Sequence, residues 1–374
     1  MAHINYIDIN GFRGIKDLSI SDFSKINIVV GDNNSGKTTF LESIQLLFTK
    51  LQLAYLRKII NQRTILNRNK SSFYVSFIKM FNSELADDFL NFDIYAKSDV
   101  GELRIEVSGK EVIIPGEEAL RLSSMPPRER TIYKRTSTDP IDKAKMFEGR
   151  IISQIGKKIQ EKTFRCTSLD TGFSGVTLEK DVQYISSFGH LQQDLLKNIV
   201  DNLEYKRLAI EILRQFDSTI EDVCYTKADD GTMLESIITS SGTNMPFSVY
   251  GDGIKKILFI LNKLYDSTDS ILLIDEIETG LHKKYYETLF PVLFTLAEKL
   301  NVQLFIATHS IEVIDAILKY GHYDANSNIA DPIKVITFKK LEQKNNDGSN
   351  IVVRNVTGKY VYENRKAFDF EVRL

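Results

Sequence analysis

One nine-residue stretch constrains this chain more than any other: Gly31-Asp32-Asn33-Asn34-Ser35-Gly36-Lys37-Thr38-Thr39. It satisfies G-x-x-x-x-G-K-[ST] at every fixed position. Before it runs Lys25-Ile26-Asn27-Ile28-Val29-Val30, a short apolar segment of the kind that forms a buried parallel strand. After it, Thr38 to Lys50 carries Phe40, Leu41, Ile44, Leu47 and Phe48 at helical spacing. A chance glycine–lysine turn would lack that context. Glycines let backbone N–H groups wrap a phosphate chain, and a helix N-terminus adds its dipole. Asn33, Asn34, Ser35, Gly36, Lys37, Thr38 and Thr39 are therefore candidate phosphate ligands, with Lys37 reaching the terminal phosphates, Thr38 offering its hydroxyl to a magnesium ion and Thr39 helping to hold the α-phosphate.

A second segment completes such a site. Ile271-Leu272-Leu273-Ile274 ends in Asp275-Glu276. An acid closing a buried strand can hold Mg2+ through water, and the next carboxylate can act as base on an attacking water. Alone this pattern is weak, because strands often end in acids; beside a phosphate loop it is strong. A third apolar strand closes on Ala307-Thr308-His309-Ser310, where His309 can contact a γ-phosphate. A lone histidine is more often structural, and only the order of the motifs favours the functional role. The cofactors implied are ATP and Mg2+, the metal held by Thr38 and Asp275, with Glu276, His309 and Lys37 as catalytic candidates.

Strands and helices alternate at both ends of the chain, around a mixed middle. Ile4 to Ile9 and Lys16 to Ile20 read as a hairpin across Gly11 to Gly14. Phe92 to Pro115 reads as a small meander with Ser108-Gly109-Lys110 as its turn, Gly116 to Arg150 as loops and Leu191 to Phe216 as one long helix. Gly251–Tyr265 and Lys283–Leu300 read as helices, Ser270–Ile274 and Val302–Ala307 as strands. The expected fold is α/β, a P-loop core with an N-terminal antiparallel hairpin and an inserted α+β subdomain. Residues 1–92 and 182–374 would form the two halves of the core, and 93–181 the insertion.

Cys166 and Cys224 are the two cysteines, far apart and without CxxC, which fits a reducing cytoplasm. Neither a signal pattern at Met1–Asn5 nor an apolar run near the ~20 residues of a membrane span is present. A cytoplasmic chain with no membrane contact is expected. The net charge of −2 hides two basic stretches. Residues 43–83 hold seven basic and no acidic residues, and 121–165 hold twelve basic against five acidic. Each is a candidate for contacting DNA phosphates, and equally a solvated face or a surface for an acidic partner.

These motifs carry a family resemblance. Gly11-Phe12-Arg13-Gly14, Lys25-Ile26-Asn27 and the P-loop continuing Phe40-Leu41-Glu42-Ser43-Ile44 look like the N-terminal head of the RecF/SMC-like ABC ATPases. Asp275 to His282, with Ala307 to Ser310 and the closing Phe370-Glu371-Val372-Arg373, resembles the OLD-like, AAA15-type branch. The resemblance covers roughly Ile4–Phe48, Val182–Ser310 and the tail. It implies a head-to-tail homodimer in which each ATP is sandwiched between one protomer's P-loop and its partner's signature segment. The matching segment is Ser248 to Lys255, with Gly251, Asp252 and Gly253 facing the nucleotide, although it departs from the usual LSGGQ. Thr279–His282 falls at the D-loop position, and Arg13 at a position that contacts nucleotide or anchors the hairpin. Full-length OLD-type nucleases add a C-terminal Toprim domain, for which the 64 residues after Ser310 are too few. Long coiled coils and a CxxC hook of SMC or Rad50 type are also missing.

The resulting expectation is an ATPase subunit of a bacterial anti-phage defence or DNA-surveillance system, served by a separate nuclease or toxin and not itself a nuclease. A RecF-like DNA-repair clamp is the alternative, and a nucleotide-gated scaffold with negligible turnover the third.

Overall fold

The structure, a computed structural model, describes residues 3–48, 56, 59–60, 62, 73–85, 88–123, 143–170, 182–191, 195–323, 331–342, 349–368 and 371–372. Its centre is a strand with apolar side chains on both faces. In β3 (Ile26–Gly31) every residue is buried. Ile26, Ile28 and Val30 join one core while Val29 joins another on the opposite face. The same division recurs in β12 (Ile271–Ile274) and β13 (Gln303–Thr308): Leu272, Ile274, Leu304 and Ile306 go one way, Ile271, Leu273 and Phe305 the other. Continuous apolar runs of this kind need cover on both sides, which is why they form parallel strands inside a layered fold. With β8 (Val182–Ile185), β14 (Ile333–Glu342) and β15 (Ser349–Thr357) they make a six-stranded sheet ordered β15-β14-β3-β13-β12-β8, parallel except for the edge strand β15.

One face is covered by α1 (Lys37–Leu47) and a second sheet. Ten of the eleven α1 residues are buried. The helix is thus sandwiched, and each of Phe40, Leu41, Ile44 and Leu47 contributes about 1.5–3 kcal/mol by leaving water. The second sheet is antiparallel: β1 (Ile4–Phe12), β2 (Ile15–Ser21), β4 (Leu90–Ser98), β5 (Gly101–Pro115), β6 (Lys143–Ile155) and β7 (Lys158–Thr167), ordered β2-β1-β4-β5-β6-β7. Two short helices, α2 (Phe73–Ile78) and α3 (Gly116–Leu122), accompany it. The N-terminal hairpin and the strands of the middle segment therefore share one sheet, since β1 pairs with both β2 and β4.

The other face carries α4 (Lys197–Asp201), α5 (Leu203–Arg214), a small sheet of β9 (Ile220–Lys227), β10 (Met233–Thr239) and β11 (Asn244–Pro246), then α6 (Asp252–Asp266), α7 (Tyr286–Lys299) and α8 (Ile311–Lys319). Helix α9 (Gly358–Phe368) follows β15. No helix among the described residues is long and apolar enough to cross a membrane.

Three local expectations fail for identifiable reasons. Ser108-Gly109-Lys110 is no turn but the middle of β5, and the chain reverses at Asp99-Val100. Gly109 lies opposite Gly149 because a Cβ there would meet Glu148 O at 2.4 Å and the Phe147 ring at 2.7 Å. Residues 191–216 form two helices, not one: Asn202 takes an extended conformation and its side chain accepts from Tyr205 N–H at 3.0 Å, capping α5. Within 116–150, Gly116–Leu122 is helix and Lys143 begins β6; residues 124–142 lie outside the described residues. So do Asp369, Phe370 and Arg373 of the tail and Lys50, Arg57, Lys58, Arg63, Arg68 and Lys70 of the first basic stretch.

Candidate functional site

Where β3 runs out, its last residue must turn under a neighbouring strand. Gly31 has φ +147, and a Cβ on it would lie 2.3 Å from Phe338 O of β14. The turn then reaches Gly36, with φ +106, which starts α1. Both positions demand glycine. Asn33, Asn34, Ser35, Gly36, Lys37, Thr38 and Thr39 line a cavity of about 450 Å3 together with Gly14, Asp275, Glu276, Lys340 and Ile351. The two sequence halves of the site thus meet in one hollow.

Their junction is a hydrogen bond. Thr38 Oγ1 donates to Asp275 Oδ2 at 2.9 Å, across 237 positions of sequence. Tyr184, at the end of β8, donates its hydroxyl to the same oxygen at 3.0 Å. Asp275 is 5 % exposed, and its Oδ1 is buried with no hydrogen-bond partner. Burial pushes its pKa above the ordinary carboxylate range, against the pull of those two donors. Lys37, also buried, donates to Gly31 O and Asp32 O at 2.7 Å each. Burial lowers its pKa, opposed first by the charge of Asp275 and then by that of Glu276.

Glu276 sits at φ +46, a left-handed conformation that costs a non-glycine residue about 1–3 kcal/mol. The chain turns sharply here, since Thr279 N–H donates to Glu276 O at 3.0 Å and Ile277 N–H to Ala307 O at 3.3 Å. His309 lies outside the cavity lining. Its backbone N–H and its Nδ1 both lie 2.9 Å from Glu278 Oε1, so the ring is held by a carboxylate.

Arg13 does not line the cavity. At φ +52 in the two-residue turn between β1 and β2, its N–H donates to Met80 O at 2.7 Å, and its Nε lies 2.9 Å from Glu42 of α1. Its neighbour Gly14 takes the place at the rim. Gly251, Asp252 and Gly253 also lie elsewhere, at the start of α6 beside the turn Thr279–His282. A Cβ on Gly253 would lie 3.5 Å from Gly280 O, and one on Gly280 would lie 3.6 Å from Asp252 Cβ and 3.0 Å from His190 Nε2. One chain therefore does not bring this segment to its own P-loop cavity.

Sequence reasoning missed Tyr184, Glu278, Lys340, Ile351 and Lys256. The last is a lysine at 0 % exposure in α6 that donates to Ser187 O at 3.2 Å. Burial pulls its pKa down to about 8, opposed by the charges of Glu278, Asp275 and Glu276. Only Glu278, inside an already quoted motif, carried a signal strong enough to be found.

The donors suit a hard cation. Mg2+ takes oxygen ligands, one or two of them carboxylates, with waters and substrate phosphates filling the rest. The buried, partnerless Asp275 Oδ1 and the Thr38 hydroxyl beside it are such a set. No group of three or more His, Cys, Asp or Glu able to hold a metal exists among the described residues.

A family model described as "AAA domain, putative AbiEii toxin, Type IV TA system" matches residues 26–315. An "ATP/GTP phosphatase" of Helicobacter pylori is 26 % identical over 337 residues, covering 84 % of this chain and 88 % of that protein. The "DNA replication and repair protein RecF" of Nitrosococcus oceani is 47 % identical over 47 residues, 13 % of each chain. Among solved structures, the SMC head domain from Thermotoga maritima aligns with a TM-score of 0.44 and 13 % identity, covering 95 % of this chain and 100 % of that one.

Proposed function

Because the chain belongs to this AAA domain family, an ABC-type ATPase family of RecF/SMC-like kind, we propose that it hydrolyses ATP at the 450 Å3 cavity and works as a head-to-tail homodimer. The observation that carries the reading is the 2.9 Å bond from Thr38 to Asp275, which joins phosphate loop and acid strand in one pocket. In this reading the P-loop amides and Lys37 hold the phosphates, Lys37 exchanging its two carbonyl acceptors for phosphate oxygens. Thr38 and Asp275 hold Mg2+, which when bound neutralises charge on the transferring phosphoryl group. Glu276 takes the proton of the water that attacks the γ-phosphorus, and the bond to the β-phosphate oxygen breaks to leave ADP and phosphate. His309, held by Glu278 outside the cavity lining, would contact the γ-phosphate in the closed dimer. Gly251–Gly253, remote from their own P-loop, supply backbone donors to the partner protomer's nucleotide.

The family description points to toxin–antitoxin or defence biology, so the ATPase would gate a separate effector, a nuclease or toxin, through dimer closure. Glu276→Gln tests the chemistry: phosphate release should fall at least a hundredfold with ATP binding kept, and the ATP-bound dimer should persist in size-exclusion chromatography. Unchanged release would instead favour a scaffold without turnover. Co-purification with the products of neighbouring genes, with and without ATP, tests the effector; a pure chain that cuts DNA would remove the need for one.

A RecF-like DNA clamp is the second reading, favoured by the 47-residue match to RecF. Three described cations of residues 121–165 already have carboxylate partners: Lys145 with Glu111, Arg150 with Glu106 and Glu161, Arg165 with Glu148. That blunts their pull on DNA. A log–log salt titration decides, since each phosphate contact adds about −0.9 to the slope.

A further inference from the structure

The P-loop is flanked by a hairpin that no motif announces. Strand β14 runs parallel to β3, with Phe338 opposite Gly31, and so continues past the point where β3 becomes the phosphate loop. Two residues on, Lys340 is the Cα partner of Ile351 on β15. Alternation puts Ile336, Phe338 and Lys340 on one face of β14. That face is the one against α1: Ile336 and Phe338 belong to the core around it, and the Phe338 and Phe40 rings are 5.3 Å apart. Ile351 packs against the same core, with its Cδ1 2.8 Å from where a Cβ on Gly36 would stand. Both Lys340 and Ile351 line the cavity.

The hairpin is anchored at its far end. Asn355 of β15 donates to Ser21 O at 2.7 Å, and Lys334 of β14 pairs with Asp22. The pair is therefore held in register against the loop by backbone pairing on one side and by the N-terminal hairpin on the other. Among the described side chains no carboxylate pairs with Lys340, whereas Lys37, the other ammonium in the lining, is committed to Gly31 O and Asp32 O.

We propose that the β14–β15 hairpin is a wall of the nucleotide site, in which Ile351 closes the cavity over Gly36 and Lys340 is a second ammonium for the nucleotide's phosphates. This rests on the ATP-site reading above. A charge at the rim attracts the phosphate chain in proportion to its charge, so its contribution should grow from mono- to triphosphate.

The test is calorimetric binding of ATP, ADP and AMP with Mg2+ to the full chain carrying Lys340→Gln, Lys340→Arg or Lys37→Ala. Lys340 is exposed, so its variants should melt within about a degree of the parent. Lys340→Gln should weaken ATP about three- to tenfold, ADP less and AMP less than twofold, and Lys340→Arg should restore ATP binding. Unchanged ATP binding in Lys340→Gln, with binding lost in Lys37→Ala, overturns the role of the hairpin alone. So does an equal loss for all three nucleotides. Unchanged ATP binding in Lys37→Ala overturns the site itself.

Discussion

Tyr184→Phe removes one oxygen and should show what its hydroxyl does for the buried acid of this site. The Tyr184 hydroxyl is one of two donors to Asp275 Oδ2, the other being Thr38, and Oδ1 has none. A hydrogen bond to a charged group contributes about 1.5–3 kcal/mol. Tyr184 is half-buried and water can partly replace it, so about 1–2 kcal/mol is expected. The melting temperature falls by roughly 2–4 °C per kcal/mol for 150–250 residues and by less for a longer chain, giving a drop of about 2–3 °C. The pH dependence is more telling. Asp275 titrates above the ordinary carboxylate range because burial outweighs its two donors. A raised folded pKa means that stability from this group is fully present below the unfolded pKa and is lost as pH rises through the folded one. Deleting a donor raises the folded pKa further and deepens that loss. The deficit should therefore be small in acid and grow toward neutral pH. Mg2+ and ATP, by giving the carboxylate a new partner, should shrink it. Thermal unfolding at about pH 3.5, below the unfolded carboxylate pKa, and at about pH 8, with and without Mg2+ and ATP, measures all of this. A deficit of equal size at both pH values would refute the reasoning.

Two further outcomes follow from the same geometry. Gly36→Ala must hold φ near +106 and press on Ile351, so it should lose about 1–3 kcal/mol in denaturant unfolding and most of its ATP affinity; parental stability would contradict the strained turn. Glu278→Gln keeps an acceptor for the His309 backbone but removes the charge beside the ring, and should slow phosphate release about tenfold at unchanged ATP affinity, measured by coupled assay and calorimetry.

What could be read from the residues was whatever chemistry had compressed into short spacing. The phosphate loop, the strand ending in Asp275-Glu276 and helix α6 stand within a residue or two of where pattern alone put them. What could not be read was pairing at long range. Gly109 looked like a turn because its usual competitor for meaning, Gly149, is forty residues away and the Phe147 ring that needs both is invisible locally. Asn202 interrupts a helical pattern by capping, and the Tyr205 it caps packs on Tyr265, 60 residues away, at 4.7 Å. Lys340 and Ile351 carry no motif; only the parallel register of β14 against β3 brings them to the cavity.

The strand that carries the phosphate loop sits between β13 and β14, so its neighbours in the sheet are residues 303–308 and 333–338. A ribosome adding about 5–20 residues per second leaves β3 without either neighbour for tens of seconds after it emerges. A strand that is apolar except for Asn27 cannot wait unshielded that long without risk of pairing wrongly. Nascent chains should therefore need Ile26–Gly31 shielded until β13 and β14 have both emerged. Nucleotide affinity would then be a late event in the life of each molecule, gained almost at once when β14 zips into place.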